Sequence, residues 1–245
     1  MSGHSKWSTI KRKKEKTDAQ RAKIFTKIGR EISVVVREGG ADPNNNGKLR
    51  DLIAKAKANN VPNDNIDRII KKAAGGGDKN EYIDIMYEGY GPSGVAVIVE
   101  CLTDNRNRTA ANMRHYFDKY GGNLGQAGCV SYMFTQKGVL VLDAEELDED
   151  KLMEDCFEVG AEDMSVENNT AEITTEPASF SAVREGLEKL GYQFLSAQVE
   201  YVPSTYVALS GEENLSNMGK LVEMLEEDDD VQEIWHNLEN EEDLP

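Results

Sequence analysis

The residues best suited to chemistry lie in the first thirty positions, where cations are concentrated around one histidine and one tryptophan. Lys and Arg neutralise phosphates, Trp7 can stack on an exposed base, and His4 can form hydrogen bonds. The pattern therefore predicts a nucleic-acid-binding segment. Its predicted contact residues are His4, Lys6, Trp7, Lys11, Arg12, Lys13, Lys14, Lys16, Arg21, Lys23, Lys27 and Arg30.

The charge of the chain is divided unevenly around this segment. Residues 1–80 carry 19 Lys and Arg against 9 Asp and Glu, whereas residues 81–245 carry 9 against 36, for a net charge of -17. A cationic segment on a strongly acidic body indicates a polyanionic partner. Two alternatives stay open: the lysine run is a solvated helix face, or Trp7 packs on the helical domain.

A second candidate anion site lies where a predicted helix begins, at Arg106, Asn107, Arg108 and Thr109. The N-terminus of a helix carries partial positive charge, so two arginines there are unfavourable unless an anion is bound. The alternative is that Arg106 and Arg108 form salt bridges with the acidic body.

Sequence support for catalysis is weak. The three histidines, His4, His115 and His236, are far apart and form no metal-binding pair. The glycine-rich stretches at 75–79 and 121–128 follow predicted helices and lack the spacing of phosphate-binding loops, so they are interpreted as helix ends and turns. We therefore predict a protein that is not an enzyme and has no metal or cofactor.

The compartment is predicted from cysteine usage and hydropathy. Cys101, Cys129 and Cys156 are widely spaced, which favours reduced thiols over a disulfide framework. No apolar run approaches the roughly 20 residues that span a bilayer. We expect a soluble cytoplasmic protein with no membrane partner; its oligomeric state is not predicted by the sequence.

Residues 1–80 are predicted to form a basic helical domain. Apolar residues recur at helical spacing at 24–36, 49–56 and 66–73, and each run ends at a Gly or Asn pair. No apolar periodicity precedes Ile24, so residues 2–16 are predicted to form a flexible N-terminal arm.

The pattern after residue 80 predicts an α+β multidomain protein. Residues 137–204 read strand-helix-strand-strand-helix-strand, the order of a ferredoxin-like domain. The helix and strand that follow cannot enclose a core by themselves. We therefore predict that 205–245 joins 81–136 in a second ferredoxin-like domain, into which 137–204 is inserted. A separate strand is predicted at 130–135.

Several motifs spread along the chain together resemble those of the YebC family: Gly3-His4-Ser5-Lys6-Trp7, Ile10-Lys11 with the basic run, Val61-Pro62 with Asn65-Ile66, Tyr87-Glu88-Gly89-Tyr90-Gly91-Pro92, and Thr103-Asp104-Asn105-Arg106-Asn107-Arg108-Thr109. The resemblance runs over nearly the whole length. It implies a three-domain bacterial cytoplasmic protein with a helical N-terminal domain. It also implies two different functions: transcriptional regulators that bind DNA, and translational activators that act at the ribosome, with a mitochondrial relative among the latter.

The residues favour one of these partners modestly. The acidic body repels a duplex, whereas ribosomal RNA can accept a basic arm in a crevice while the acidic domains face away or meet basic ribosomal proteins. Looped RNA also suits stacking on Trp7 better than closed duplex DNA does. We therefore expect ribosomal RNA as the partner, with ribosomal proteins as further contacts and duplex DNA as the alternative.

Overall fold

The structure is a computed structural model that describes residues 18–76 and 81–245. The first part is a bundle of three helices, α1 (Asp18–Gly39), α2 (Gly47–Ala58) and α3 (Asn63–Ala74). Their apolar faces meet in one buried cluster, as the helical spacing predicted: Ile28, Ile32, Val36, Leu49, Ala56, Val61, Ile66 and Ala73.

One buried side chain, Asn46, joins the end of α1 to the start of α2. Its Oδ1 accepts a hydrogen bond from the Leu49 N–H at 3.1 Å, and its Nδ2 donates to the carbonyls of Val35 at 3.0 Å and Gly40 at 2.9 Å. These bonds satisfy groups that helix ends leave without partners. The turn between the two helices is therefore a packed link.

From residue 81 the chain alternates between strands and helices. The elements are β1 (Ile83–Tyr90), β2 (Ala96–Thr103), α4 (Arg106–Lys119), β3 (Asn123–Leu124), β4 (Phe134–Asp143), α5 (Glu149–Glu158), β5 (Asp163–Glu167), β6 (Thr170–Thr175), α6 (Phe180–Lys189), β7 (Ser196–Pro203), α7 (Glu212–Glu227) and β8 (Val231–His236).

The first of two antiparallel sheets, here called the middle sheet, has the strand order β3-β1-β2-β8. Strand β2 is buried along nearly its whole length, as its apolar sequence predicted. One face of the sheet packs on α4 and α7 through Val97, Val99, Met113, Phe117, Met218 and Leu221. The positions of the strands and helices are those of a ferredoxin-like domain. The difference is in chain order, because β1 occupies the place of that fold's third strand but comes first in this domain.

The second sheet, here called the inserted sheet, has the order β5-β6-β4-β7 and is also antiparallel. Its chain order and strand order are those of a ferredoxin-like domain, which confirms the predicted fold class. Strand β2 precedes residues 137–204 in the chain and β8 follows them, yet the two strands pair, with Ile98 opposite Trp235. This pairing supports the proposal that 137–204 is inserted.

The prediction of a separate strand at 130–135 is wrong. Residues Ser131–Met133 form a short 3-10 turn, and β4 then runs without interruption from Phe134 to Asp143. This strand includes Gly138, where a Cβ atom would overlap Thr175 and Phe180. The glycine-rich stretch after α4, interpreted from the sequence as helix end and turn, also contains β3.

Candidate nucleic-acid interface

The predicted contact residues before α1 lie outside the described part of the chain. They are His4, Lys6, Trp7, Lys11, Arg12, Lys13, Lys14 and Lys16. Their role, and the choice between base stacking and packing for Trp7, stay predictions.

The other four predicted contact residues lie on α1. Arg21 is exposed near its start. Lys23, Lys27 and Arg30 follow at spacings of four and three residues, which places them in one stripe along the helix. We call these three residues the α1 stripe.

The α1 stripe contacts five consecutive acidic residues, 226–230, which we call the acidic turn. Lys23 Nζ lies 2.6 Å from Glu227 Oε2, and Lys27 Nζ donates to the Glu226 carbonyl at 2.8 Å. Arg30 Nη1 donates to the Asp229 carbonyl at 2.7 Å. Because the turn includes the C-terminal end of α7, its carbonyls add the negative end of a helix dipole to the carboxylates.

The second predicted anion site contacts the same turn through Arg108 and Thr109. Arg108 Nη2 lies 2.6 Å from Asp230 Oδ2, which also accepts a hydrogen bond from Thr109 Oγ1 at 2.9 Å. A further contact joins Arg108 to Asp104 at 2.9 Å. The salt-bridge arrangement foreseen as an alternative is thus the one that Arg108 adopts here. Arg106 and Asn107 are exposed, and their binding of an anion stays a prediction.

Asp230 joins the two predicted sites. Its Oδ1 accepts a hydrogen bond from Arg30 Nη1 at 3.2 Å, and its Oδ2 accepts one from Arg108 Nη2. The residue is only 4% exposed. Burial would raise the pKa of Asp230, but the hydrogen bonds from Arg108 and Thr109 outweigh it and hold the pKa below its ordinary value. Asp230 is therefore charged, and two regions nearly 80 residues apart in sequence, at Arg30 and Arg108, converge on it.

A half-buried charge cluster lies between the helical bundle and the middle sheet; we call Glu31, Lys55 and Glu233 the interface cluster. Lys55 Nζ lies 3.2 Å from Glu31 and 2.9 Å from Glu233. Burial opposes the charge on Lys55, but the two carboxylates outweigh it and raise its pKa. Burial also raises the pKa of Glu31, and burial with the nearby charges of Glu233 and Glu31 raises the pKa of Glu100 to about 7.

The helical bundle reaches the inserted domain through a second set of polar contacts. Arg50 Nε lies 3.0 Å from Glu185 Oε1, and Asp51 accepts from Arg184 at 3.1 Å and from Ser181 at 2.6 Å. A cavity of about 520 Å³ opens between the bundle, β7, α7 and β8. The bundle therefore touches the rest of the protein around the rim of a cleft.

Exposed cations on α3 form a surface that is not among the predicted contact residues. Arg68, Lys71 and Lys72 are exposed in the second half of the helix, and no ion pair joins them to the described residues. The signal that could have found this surface is the three-residue and four-residue spacing from Arg68 to Lys71 and Lys72, which places both lysines beside the arginine on one helix face.

Residues 18–76 and 81–245 contain no cluster of three or more His, Cys, Asp or Glu side chains suited to a metal ion. None of the helices formed there is both long enough and apolar enough to cross a membrane.

Family models and known proteins match the chain over nearly its whole length. Residues 5–76 match the model described as the TACO1/YebC protein N-terminal domain, and residues 82–238 match the TACO1/YebC second and third domain. A relative from Caldicellulosiruptor bescii is 60% identical over 99% of this chain and 100% of its own length. One from Acetivibrio thermocellus is 58% identical over 97% and 98%. Both carry the name "Probable transcriptional regulatory protein".

A solved structure supports the same architecture. The crystal structure of a conserved hypothetical protein from Aquifex aeolicus is 46% identical to this chain, with a TM-score of 0.81, and the match covers 91% of this chain and 92% of the other. The three-part arrangement described above is therefore shared with an experimentally determined relative.

Proposed function

Since the chain belongs to the TACO1/YebC family, we propose that it is a non-enzymatic regulator of gene expression that binds nucleic acid through its basic helical domain, residues 1–80. The observation that carries the proposal is the division of charge, 19 cations against 9 acids before residue 81 and 9 against 36 after it. Such a division confines any polyanion to one end of the molecule.

Two parts of the basic domain supply the proposed contacts. The arm at 2–16 contributes the densest cations of the chain together with Trp7. The exposed side chains of Arg68, Lys71 and Lys72 on α3 supply a second surface for phosphates. Since phosphate contacts position a protein without reading sequence, these cations fit backbone recognition best.

Ribosomal RNA is the nucleic acid that this arrangement favours. A duplex that extends beyond the basic domain meets 36 acidic residues with only 9 cations among them, whereas folded RNA can receive the arm while the acidic domains face outward. Basic ribosomal proteins are suitable neighbours for those acidic domains. The proposed role is therefore that of a ribosome-associated translation factor.

The second candidate is a DNA-binding transcriptional regulator, and the name shared by the relatives favours it. The helix α3 would then be the reading element. Its first turn carries Asp64 and its second Asp67, and both are exposed where a recognition helix approaches phosphates. This feature ranks duplex DNA second.

Sedimentation of ribosomes tests the proposal directly. Purified ribosomes are mixed with the protein over a series of salt concentrations, and the bound fraction is measured. Substitution of Lys11, Lys13 and Lys14 by Gln should lower the slope of log affinity against log salt by about 2 to 3, since each lost phosphate contact removes about 0.7 to 0.9. The matched control replaces Lys119, Lys189 and Lys220 on the acidic body by Gln and should leave the slope unchanged.

A parallel gel shift on duplex DNA distinguishes the two candidates. Absence from the ribosome pellet together with a sequence-selective shift of duplex DNA would replace the ribosomal proposal with the transcriptional one. Absence of binding in both assays would refute nucleic-acid binding altogether.

A further inference from the structure

The cations of the α1 stripe already hold a polyanion that belongs to this chain. We propose that the acidic turn competes with nucleic acid for the basic helical domain, so that nucleic acid binds an open form in which α1 has left the turn. The inference rests on the proposed function and adds its regulation through a further surface of the same domain, the α1 stripe.

The contacts between stripe and turn resemble those that a phosphate backbone would make. Three cations along one helix donate hydrogen bonds to carboxylate and carbonyl oxygens at 2.6 to 3.2 Å. Phosphate oxygens seek the same donors, and an oxygen already bound there excludes them. The stripe can therefore serve the turn or a nucleic acid, but not both at once.

The turn is fastened to the middle domain, so the helical bundle is the part free to move. Asp228 accepts hydrogen bonds from Asn112 and Tyr116, each at 3.0 Å. Asp230 is held by Thr103, Thr109 and Arg108, as described above. Glu226, Glu227 and Asp229 are exposed; Glu227 presents its carboxylate to α1, and Glu226 and Asp229 present their backbone carbonyls.

The rest of the bundle is attached by contacts that a polyanion and salt can weaken. Among the described residues, its apolar cluster contains only positions between 24 and 73, and the other apolar clusters include none of the bundle's residues. The attachments are polar ones, such as Arg50 with Glu185 and Lys55 with Glu233, set around a cleft. Interfaces of this kind between domains commonly permit relative motion.

This arrangement would select among polyanions. A short or sparsely charged anion gains too little to displace five consecutive acids. A folded nucleic acid that also engages the arm at 2–16 gains enough contacts to hold the open form. The acidic turn would thus suppress non-specific binding by the basic domain.

The test compares two variants with the same change in net charge, using fluorescence anisotropy and a labelled single-stranded RNA of twenty uridines. The turn variant carries Glu226→Gln, Glu227→Gln and Asp229→Asn; the control carries Glu145→Gln, Glu146→Gln and Glu154→Gln on the exposed surface at and before α5. We expect the turn variant to bind about three- to tenfold more tightly than wild type, because it loses the exposed ion pair of Glu227 with Lys23 and two further negative charges beside the stripe, while the carbonyl contacts of residues 226 and 229 stay. The control should change affinity less than twofold.

The outcomes separate this inference from the function beneath it. Equal tightening in both variants would show a general effect of net charge and overturn the competition. A wild type that binds RNA no less tightly than the turn variant would also overturn it, with the proposed function intact. If neither protein binds the RNA, a DNA duplex of equal length or ribosomes, the proposed function fails and this inference fails with it.

Hydrogen–deuterium exchange on the unmodified protein gives an independent measurement. Opening predicts faster exchange of the backbone amides at 226–230 when the RNA is bound, because α1 no longer covers the turn. Slower or unchanged exchange there, in a complex shown to be saturated, would refute the opening whatever the variants do.

Discussion

Replacement of Glu100 by Gln should make the protein more stable at alkaline pH while leaving its stability at pH 5 nearly unchanged. Glu100 lies on β2 beside the interface cluster, where burial and neighbouring carboxylates raise its pKa from 4.5 to about 7. The folded protein therefore prefers the protonated side chain. Gln has the same shape and stays uncharged, so it imitates the favoured form at every pH.

The sign and size follow from the two pKa values. A group whose pKa is higher in the folded state stabilises the fold fully below its unfolded pKa, and this contribution is lost as the pH rises through the folded pKa. For Glu100 the loss occurs mainly between pH 4.5 and about 7. A shift of this size corresponds to roughly 2 to 3 kcal/mol between pH 5 and pH 8. The variant should exceed wild type by that amount at pH 8.

Tryptophan fluorescence can follow this effect locally. The chain has two tryptophans, so Trp7→Phe leaves Trp235 on β8, the strand that carries Glu233 of the interface cluster, as the reporter. Urea unfolding at pH 5, 6, 7 and 8 gives the free energy of unfolding for each variant in this background. Glu154→Gln, on the exposed face of α5, is the matched control. Its free energy of unfolding should change with pH in the same way as that of the parent protein.

Parallel curves for the parent and the Glu100→Gln variant would refute the reasoning, since they would mean that Glu100 binds no extra proton in the folded state. A variant that is less stable than the parent at pH 8 would show that the carboxylate is favourable there. Either result would show that burial and the neighbouring carboxylates do not raise the pKa of Glu100 in the folded protein.

Three further changes test other parts of the structure. Lys55→Met removes the cation of the interface cluster and should lower the free energy of unfolding by about 2 kcal/mol at pH 7, and less at pH 5 where carboxylates protonate; urea unfolding measures both. Gly89→Ala places a Cβ 2.6 Å from the Asn123 carbonyl and should cost about 1 to 3 kcal/mol in thermal unfolding, whereas Gly47→Ala, with 3.7 Å to its nearest neighbour, should be nearly neutral. Deletion of residues 2–16 should abolish binding to ribosomes in the sedimentation assay with little change in melting temperature; a large fall would show that the arm is structural.

Local patterns predicted most of the fold. Helical spacing predicted α1, α2 and α3. Because α7 and β8 cannot enclose a core by themselves, they were predicted to join residues 81–136, and β8 pairs with β2 while α7 packs on the middle sheet. The errors lie where tertiary contacts override local signals. The sequence predicts a separate strand at 130–135, yet β4 begins at Phe134 and continues to Asp143 because β7 pairs with it from Phe134 opposite Pro203 to Val141 opposite Ser196.

The candidate site was harder to predict, because a charge pattern names its residues but not their partners. The stripe of Lys23, Lys27 and Arg30 is visible in the sequence, and so is the acid run at 226–230. Roughly 200 residues separate them, and no local rule brings them together. The same applies to Arg108, whose contact with Asp230 depends on the path of the whole middle domain.

The late position of β8 determines when the middle domain can be completed during synthesis. Strand β2 is central in its sheet, but its second neighbour is translated about 130 residues later. The inserted sheet, by contrast, contains all its strands by Pro203, and its first and last strands pair at Phe134 and Pro203. A nascent chain can therefore fold the inserted domain first and thereby bring the two halves of the middle domain together. Protein synthesis thus supplies β8, and the acidic turn just before it, only after all the strands of the inserted sheet.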